Sequence, residues 1–172
     1  VTESSSIEQE ITAYIGLGSN LKNPQSQLTQ ALEALNTLPQ SRLLKYSSLY
    51  RNKSMGPADQ PDYINAVASL ATNLSPYELL AGLQDLEIKQ GRIRGPERWG
   101  PRSLDLDILL YGELELSTPD LIIPHPGLPD RNFVLYPLYE IAPDLEIPGR
   151  GPLVALLSKV SQQGLVRIGI DG

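Results

Sequence analysis

Two periodicities alternate along the chain. Ile11, Ala13, Ile15 and Leu17 alternate with Thr12, Tyr14 and Gly16, the two-residue period of a strand with one buried face. Leu28, Ala31, Leu32, Leu35 and Leu38 then recur at helical spacing, with Pro24 in the first turn, Asn23 as a candidate cap and Pro39 as the stop. Leu43 to Tyr50 reads as a second strand and Tyr63 to Ala71 as a third. Between them Arg51 to Asp62 is broken by Asn52, Gly56, Pro57, Asp59 and Pro61. Ser75-Pro76-Tyr77-Glu78 is a capping box, followed by the stripe Leu79, Leu80, Leu83 and Leu86 and a stop at Gly91. A second broken stretch leads into Leu104 to Tyr111, which ends at Gly112. There Leu104, Leu106, Ile108 and Leu110 are expected on a buried face and Asp105 and Asp107 on the opposite one.

This order, βαββαβ, predicts an α+β fold of ferredoxin-like type. Both helices would cover one face of an antiparallel sheet, leaving the other face or an edge for a ligand. Extra C-terminal strands and short helices follow: strands at Leu114–Leu116 and Leu121–Ile123, a short helix capped by Asp130 and running to Leu138, a helix over Pro152–Lys159, and a closing strand at Leu165–Ile170. Gly16-Leu17-Gly18-Ser19-Asn20 lacks the third glycine of a dinucleotide fingerprint and the lysine of a P-loop. It reads as a tight turn into the first helix.

With 172 residues, 41% hydrophobic and 20% charged, the chain fits a single domain over residues 11–172, preceded by a flexible tail over 1–10. The tail has no signal-peptide pattern and no apolar run is long enough to span a bilayer. Cysteine is absent, which excludes disulfides and thiolate metal sites. A cytoplasmic location agrees with these features. The net charge of -6 argues against a general nucleic-acid binder. The charge is uneven, however. Gly91 to Arg102 holds Arg92, Arg94, Arg98 and Arg102 against one acid, Glu97, for a local charge of +3. A basic patch in an acidic chain fits a small polyanionic ligand.

That patch runs directly into Asp105 and Asp107. Two carboxylates on one strand face repel unless a cation lies between them, and hard divalent cations prefer carboxylate oxygen. Spacing alone leaves two readings, a solvated strand face or a metal site. The arginines beside the pair favour the second, because arginine matches phosphate geometry and metal beside arginine serves phosphoryl transfer. Tyr63 and Asn65 share a face at the start of the third strand. They are either ordinary sheet residues or a surface for a flat heterocycle. His125, between Pro124 and Pro126, is the only histidine.

The run Arg98-Trp99-Gly100-Pro101-Arg102-Ser103-Leu104-Asp105-Leu106-Asp107-Ile108-Leu109 closely resembles the signature of the 6-hydroxymethyl-7,8-dihydropterin pyrophosphokinase family. Three other stretches agree in order and spacing: Ala13 to Leu21, Gly56-Pro57 through Gln60 to Asn65, and Ile123 to Pro126 with Arg131 and Phe133. The resemblance spans Ile11 to about Pro148. It implies transfer of diphosphate from ATP to a reduced pterin, with release of AMP, by a monomeric enzyme that engages neither nucleic acid nor membrane.

It also implies two magnesium ions on Asp105 and Asp107. Catalytic roles would fall to these and to Arg92 and Arg102. The ATP site would comprise Gln84, Glu87, Arg92, Arg94, Trp99, Arg102, Ile108, His125 and Arg131. The pterin site would comprise Met55, Gly56, Tyr63, Asn65, Trp99 and Phe133, with Tyr63 and Phe133 sandwiching the ring and Trp99 closing over it. The two broken stretches would act as lids. Three positions depart from the family pattern: Lys53-Ser54, where prolines are frequent, Gly95, where a basic residue occurs, and Pro126, where some members have tyrosine.

Two other classes were weighed. An RNA-binding domain of the same fold needs aromatic residues on central strands and a basic face. Here aromatics are 6% of the chain and the net charge is negative. A metal-dependent nuclease would use the aspartates but not Tyr63, Asn65 and Phe133 in one pocket.

Overall fold

The computed structural model describes residues 10–19, 24–52, 63–92 and 104–168, with side chains to Gln90 in the third of these segments. The main sheet is antiparallel. Its strands are β1 (Ile11–Ser19), β2 (Ser41–Tyr46), β3 (Tyr50–Asn52), β4 (Tyr63–Thr72), β5 (Asp105–Tyr111) and β10 (Leu165–Arg167). They run β10-β3-β4-β1-β5, with β2 also paired to β4. Helices α1 (Pro24–Leu35) and α2 (Pro76–Arg92) complete the predicted βαββαβ core.

The first face of the sheet is apolar throughout. Ala13, Ile15 and Leu17 of β1, Ile64, Ala66, Ala68 and Leu70 of β4, and Leu104, Leu106 and Ile108 at β5 pack with Leu28, Leu32 and Leu35 of α1 and Leu79 and Leu83 of α2. These are the positions that alternation and helical period single out. The capping box forms as read: Ser75 N–H donates to Glu78 Oε1 at 2.8 Å and Glu78 N–H to Ser75 Oγ at 3.2 Å. Helix α1 ends at Leu35, four residues before the expected stop at Pro39, and a turn carries Leu38 back into the core.

The second face is not left open along its length. Helix α3 (Asn132–Ile141) and the short α4 (Leu153–Leu157) cover it, burying Val67, Leu109 and Leu110 together with Leu135, Leu138 and Leu153. Two small ladders, β6 (Leu116–Ser117) with β7 (Ile122–Ile123) and β8 (Glu146–Ile147) with β9 (Gly151–Pro152), join these pieces.

Several expectations are corrected here. Leu110 lies on the second face, not with Leu104, Leu106 and Ile108. The register against β1 jumps from Ile15↔Ile108 to Tyr14↔Leu110, so Leu109 is an extra residue in a β-bulge and every side chain beyond it changes face. The expected single strand Leu43–Tyr50 is two strands, interrupted at Ser47–Leu49. The Ser47 hydroxyl stands in for a ladder carbonyl there, accepting the Val67 N–H at 3.0 Å. Gly16 and Gly18 lie inside β1 rather than in a turn. Asp130 is not a cap: it closes a 3-10 turn over Leu128–Asp130, and Arg131 stands at the N-cap of α3. The last helix is shorter than expected, and the closing strand is described as far as Arg167.

Candidate active site

The uncovered part of the second face lies at one end of the sheet. Strand register places four residues in a row across it: Asp105↔Gly18, Gly18↔Asn65 and Asn65↔Tyr50. The next row runs Asp107↔Gly16↔Val67. Neighbouring strands are about 4.8 Å apart, so the backbones of Asp105 and Asn65 are roughly 10 Å apart with only Gly18 between them. A Cβ on Gly18 would stand 2.9 Å from Asn65 Oδ1, and one on Gly16 would stand 3.3 Å from Leu109 Cδ2. The Asn65 amide therefore lies against Gly18, which is buried, and the Leu109 side chain lies against Gly16, so neither position has room for a larger residue. The sequence shows these glycines, but nothing in it shows that they face a site.

Asn65 is 6% exposed, and its Nδ2 has no hydrogen-bond partner among the described residues. Burying such a group unpaired costs about 1–3 kcal/mol, so the site calls for an acceptor from a ligand. Tyr63, two residues earlier on the same face, is 39% exposed. Asp107 is exposed and Asp105 half-buried.

A third group arrives from the C-terminal half. The backbone N–H of His125 donates to Leu109 O at 3.0 Å, which pins the histidine beside β5. Its Nδ1 accepts the Gly127 N–H at 3.0 Å, so in the neutral ring the proton sits on Nε2. Burial pushes the His125 pKa below its usual 6.5. Asp107 pulls it up and Arg131 pushes it down, so all three groups lie within electrostatic reach. The Arg131 guanidinium stands 5.7 Å from the centre of the Phe133 ring, a cation–π contact. A Cβ on Gly127 would lie 2.6 Å from that guanidinium. Gly127 thus lies against the Arg131 side chain, a contact that the sequence reading did not single out because it is set by a residue four positions away.

The nucleotide residues are brought together only in part. Glu87 Oε2 accepts the Leu106 N–H at 2.7 Å. That N–H therefore points away from β1, to the free edge of β5, and by alternation so do the main-chain groups of Ile108. The Ile108 side chain is in the core at 3% exposed, which leaves its main chain to face the edge. Gln84 is exposed on α2. Arg92 is the last residue of α2, and its side chain lies outside the described residues. Met55, Gly56, Arg94, Trp99 and Arg102, with both expected lids, also lie outside them.

Comparison with known proteins decides the family. The family model for 7,8-dihydro-6-hydroxymethylpterin-pyrophosphokinase (HPPK) matches residues 14–143. The chain belongs to this pyrophosphokinase family. It is 50% identical over 155 residues to the 2-amino-4-hydroxy-6-hydroxymethyldihydropteridine pyrophosphokinase of Pseudomonas aeruginosa, covering 90% of this chain and 95% of that one. It is 48% identical over 158 residues to the Haemophilus influenzae enzyme of the same name, covering 92% and 98%. The pyrophosphokinase fold is also seen in a crystal structure of Plasmodium falciparum HPPK-DHPS, at TM-score 0.70 and 15% identity. That match covers 90% of this chain and 46% of the larger one. Members of the family transfer diphosphate from ATP to 6-hydroxymethyl-7,8-dihydropterin in folate biosynthesis.

Proposed function

We propose that these two rows of the second face hold both substrates of this pyrophosphokinase, with the pterin at Asn65 and the phosphates at Asp105 and Asp107. The observation that carries the assignment is the row Asp105–Gly18–Asn65, in which a carboxylate and a buried amide whose Nδ2 has no partner among the described residues lie on either side of a glycine. A flat ring engaged by Asn65 lays its hydroxymethyl arm over Gly18 toward the carboxylates. Tyr63 and Phe133 supply the aromatic faces.

The metal reading fits the donors present. Asp105 and Asp107 offer only hard oxygen, and no group of three or more histidine, cysteine or acidic residues suited to a metal occurs among the described residues. Magnesium commonly takes one or two carboxylates and completes its shell with water and substrate phosphate. When bound, it neutralises phosphate charge and lowers the pKa of the attacking hydroxyl.

The remaining chemistry belongs to side chains. The pterin hydroxyl oxygen attacks the β-phosphorus of ATP and loses its proton to solvent, the bond from that phosphorus to the α,β-bridging oxygen breaks, and AMP leaves with that oxygen. Neutral His125 donates from Nε2 to a phosphate oxygen, and Arg131 adds a positive charge beside it. Arg92 and Arg102 carry further phosphate charge, with Arg94 and Trp99 completing the nucleotide side and Met55 and Gly56 the pterin side. Aromatic walls and a dry floor exclude water, which would otherwise hydrolyse ATP.

The test is product analysis. With magnesium and the reduced pterin, the purified chain converts ATP to AMP and a diphosphorylated pterin. Release of ADP or inorganic phosphate in place of AMP contradicts the assignment.

A further inference from the structure

The interruption between β2 and β3 is held by one acid. Glu140, near the end of α3, accepts the Ser48 N–H at 3.1 Å on both carboxylate oxygens and the Ser48 hydroxyl at 2.9 Å. It also accepts the Tyr50 hydroxyl at 2.6 Å and Arg167 Nη2 at 3.1 Å. Arg167, on β10, donates from Nε to Ser48 Oγ at 2.9 Å. One carboxylate thus ties together the strand break, β3, α3 and the last strand. Its side chain is 22% exposed and that of Arg167 61%, so the bonds to Ser48 and Tyr50 are the shielded ones and the Arg167 pair is a surface contact.

The opposite end of α3 carries Arg131, which lies within electrostatic reach of His125, itself bonded to Leu109 of β5. Helix α3 packs on β4 and β3 and so links the His125 return beside β5 to β3. Ten residues of helix are about 15 Å long, and three strand spacings are about 14 Å, so the lengths agree. Phe133 and Glu140 are seven residues apart, on one stripe of the helix. Tyr50, held by Glu140, is the register partner of Asn65.

We propose that Glu140 is a positioning residue for the pterin: by fixing the far end of α3 to Tyr50 and Ser48, it sets where the Phe133 ring stands relative to Asn65. This inference rests on the reading of Asn65 and Phe133 as pterin residues. Glu140 touches no substrate itself. Loss of its charge lets α3 shift along the sheet. A stacked ring tolerates little displacement, whereas the long Arg131 side chain follows its phosphate.

The test is Glu140→Gln, which turns one acceptor into a donor aimed at donors, together with the milder Tyr50→Phe, which removes a single bond. In Glu140→Gln, KM for the pterin rises about tenfold while KM for ATP moves less than about threefold, a scale expected for small displacements in a reacting complex. Tyr50→Phe shifts the same ratio in the same direction by less, and decides the matter if Glu140→Gln does not fold. Equal rises in both KM values, or a lower melting temperature with both unchanged, overturn the inference. If the wild-type chain releases no AMP, the reading of the reaction fails, and the ring resonances of His125 decide separately. Their displacement in Glu140→Gln at fixed pH supports coupling through α3, and unmoved resonances overturn it.

Discussion

At the scale of the residue, the site depends as much on missing side chains as on present ones. Gly18 leaves room for the Asn65 amide and Gly127 for the Arg131 guanidinium. In β1 the backbone of Gly18 is extended, not left-handed, so alanine is tolerated by the main chain, and its Cβ acts only on Asn65. Gly18→Ala should weaken pterin binding roughly tenfold at a stability cost of about 1–3 kcal/mol. Titration of the pterin by its own fluorescence checks this, and unaltered affinity contradicts the placement of Asn65. His125 gives a second expectation. Its pKa is depressed by burial and by Arg131, so the unfolded chain binds the proton more tightly. Stability from this group is complete above about pH 6.5 and is lost as pH falls through the folded value. In nucleotide-free protein the imidazole NMR midpoint should lie below 6.5. A midpoint at or above 6.5 contradicts the geometry.

At the scale of the element, the sequence was readable wherever period and contact are local. The alternation of β1, that of β5 as far as Ile108, and the Ser75 capping box are local, and they formed as read. Replacing Ser75 by alanine should cost about 1 kcal/mol through the orphaned Glu78 N–H, measured as a shift in denaturation midpoint. The bulge at Leu109 was not readable, because Ile108, Leu109 and Leu110 are all apolar and the pattern carries no mark of an inserted residue. Nor was the break at Ser47–Leu49, whose anchor lies in α3, 92 residues from Ser48. The same anchor has a signature in alkali. Burial, the hydrogen bond to Glu140 and its charge raise the Tyr50 pKa well above the ordinary 10, with Arg167 opposing. Ionisation is therefore resisted in the folded state, and stability present below pH 10 is lost as pH rises through the folded value. Tyr50→Phe should make the decline of denaturation midpoint between pH 9 and 11 shallower. Tyr14 and Tyr111, also raised by burial, leave a residual slope.

At the scale of the whole molecule, the two faces of one sheet divide the labour. The first, packed under α1 and α2, gives the fold its core. The second is packed by α3 and α4 and carries the candidate site residues Asp105, Asp107, Tyr63 and Asn65 at one end. The family was legible because its longest motif is contiguous, from Arg98 to Leu109. The meeting of Asp107 with His125 and Arg131 was not legible from spacing, because it requires the chain to return beside β5 through the His125 N–H. Under the proposed function, Asp107, exposed and facing this return, forms with Asp105 the metal platform for diphosphate transfer. The most direct measurement of that central claim is AMP release against magnesium concentration for wild type and Asp107→Ala side by side. The wild-type chain should need magnesium and lose activity to a chelator, while Asp107→Ala should fall by roughly a thousandfold or more at every concentration. Comparable rates in the two proteins would contradict it.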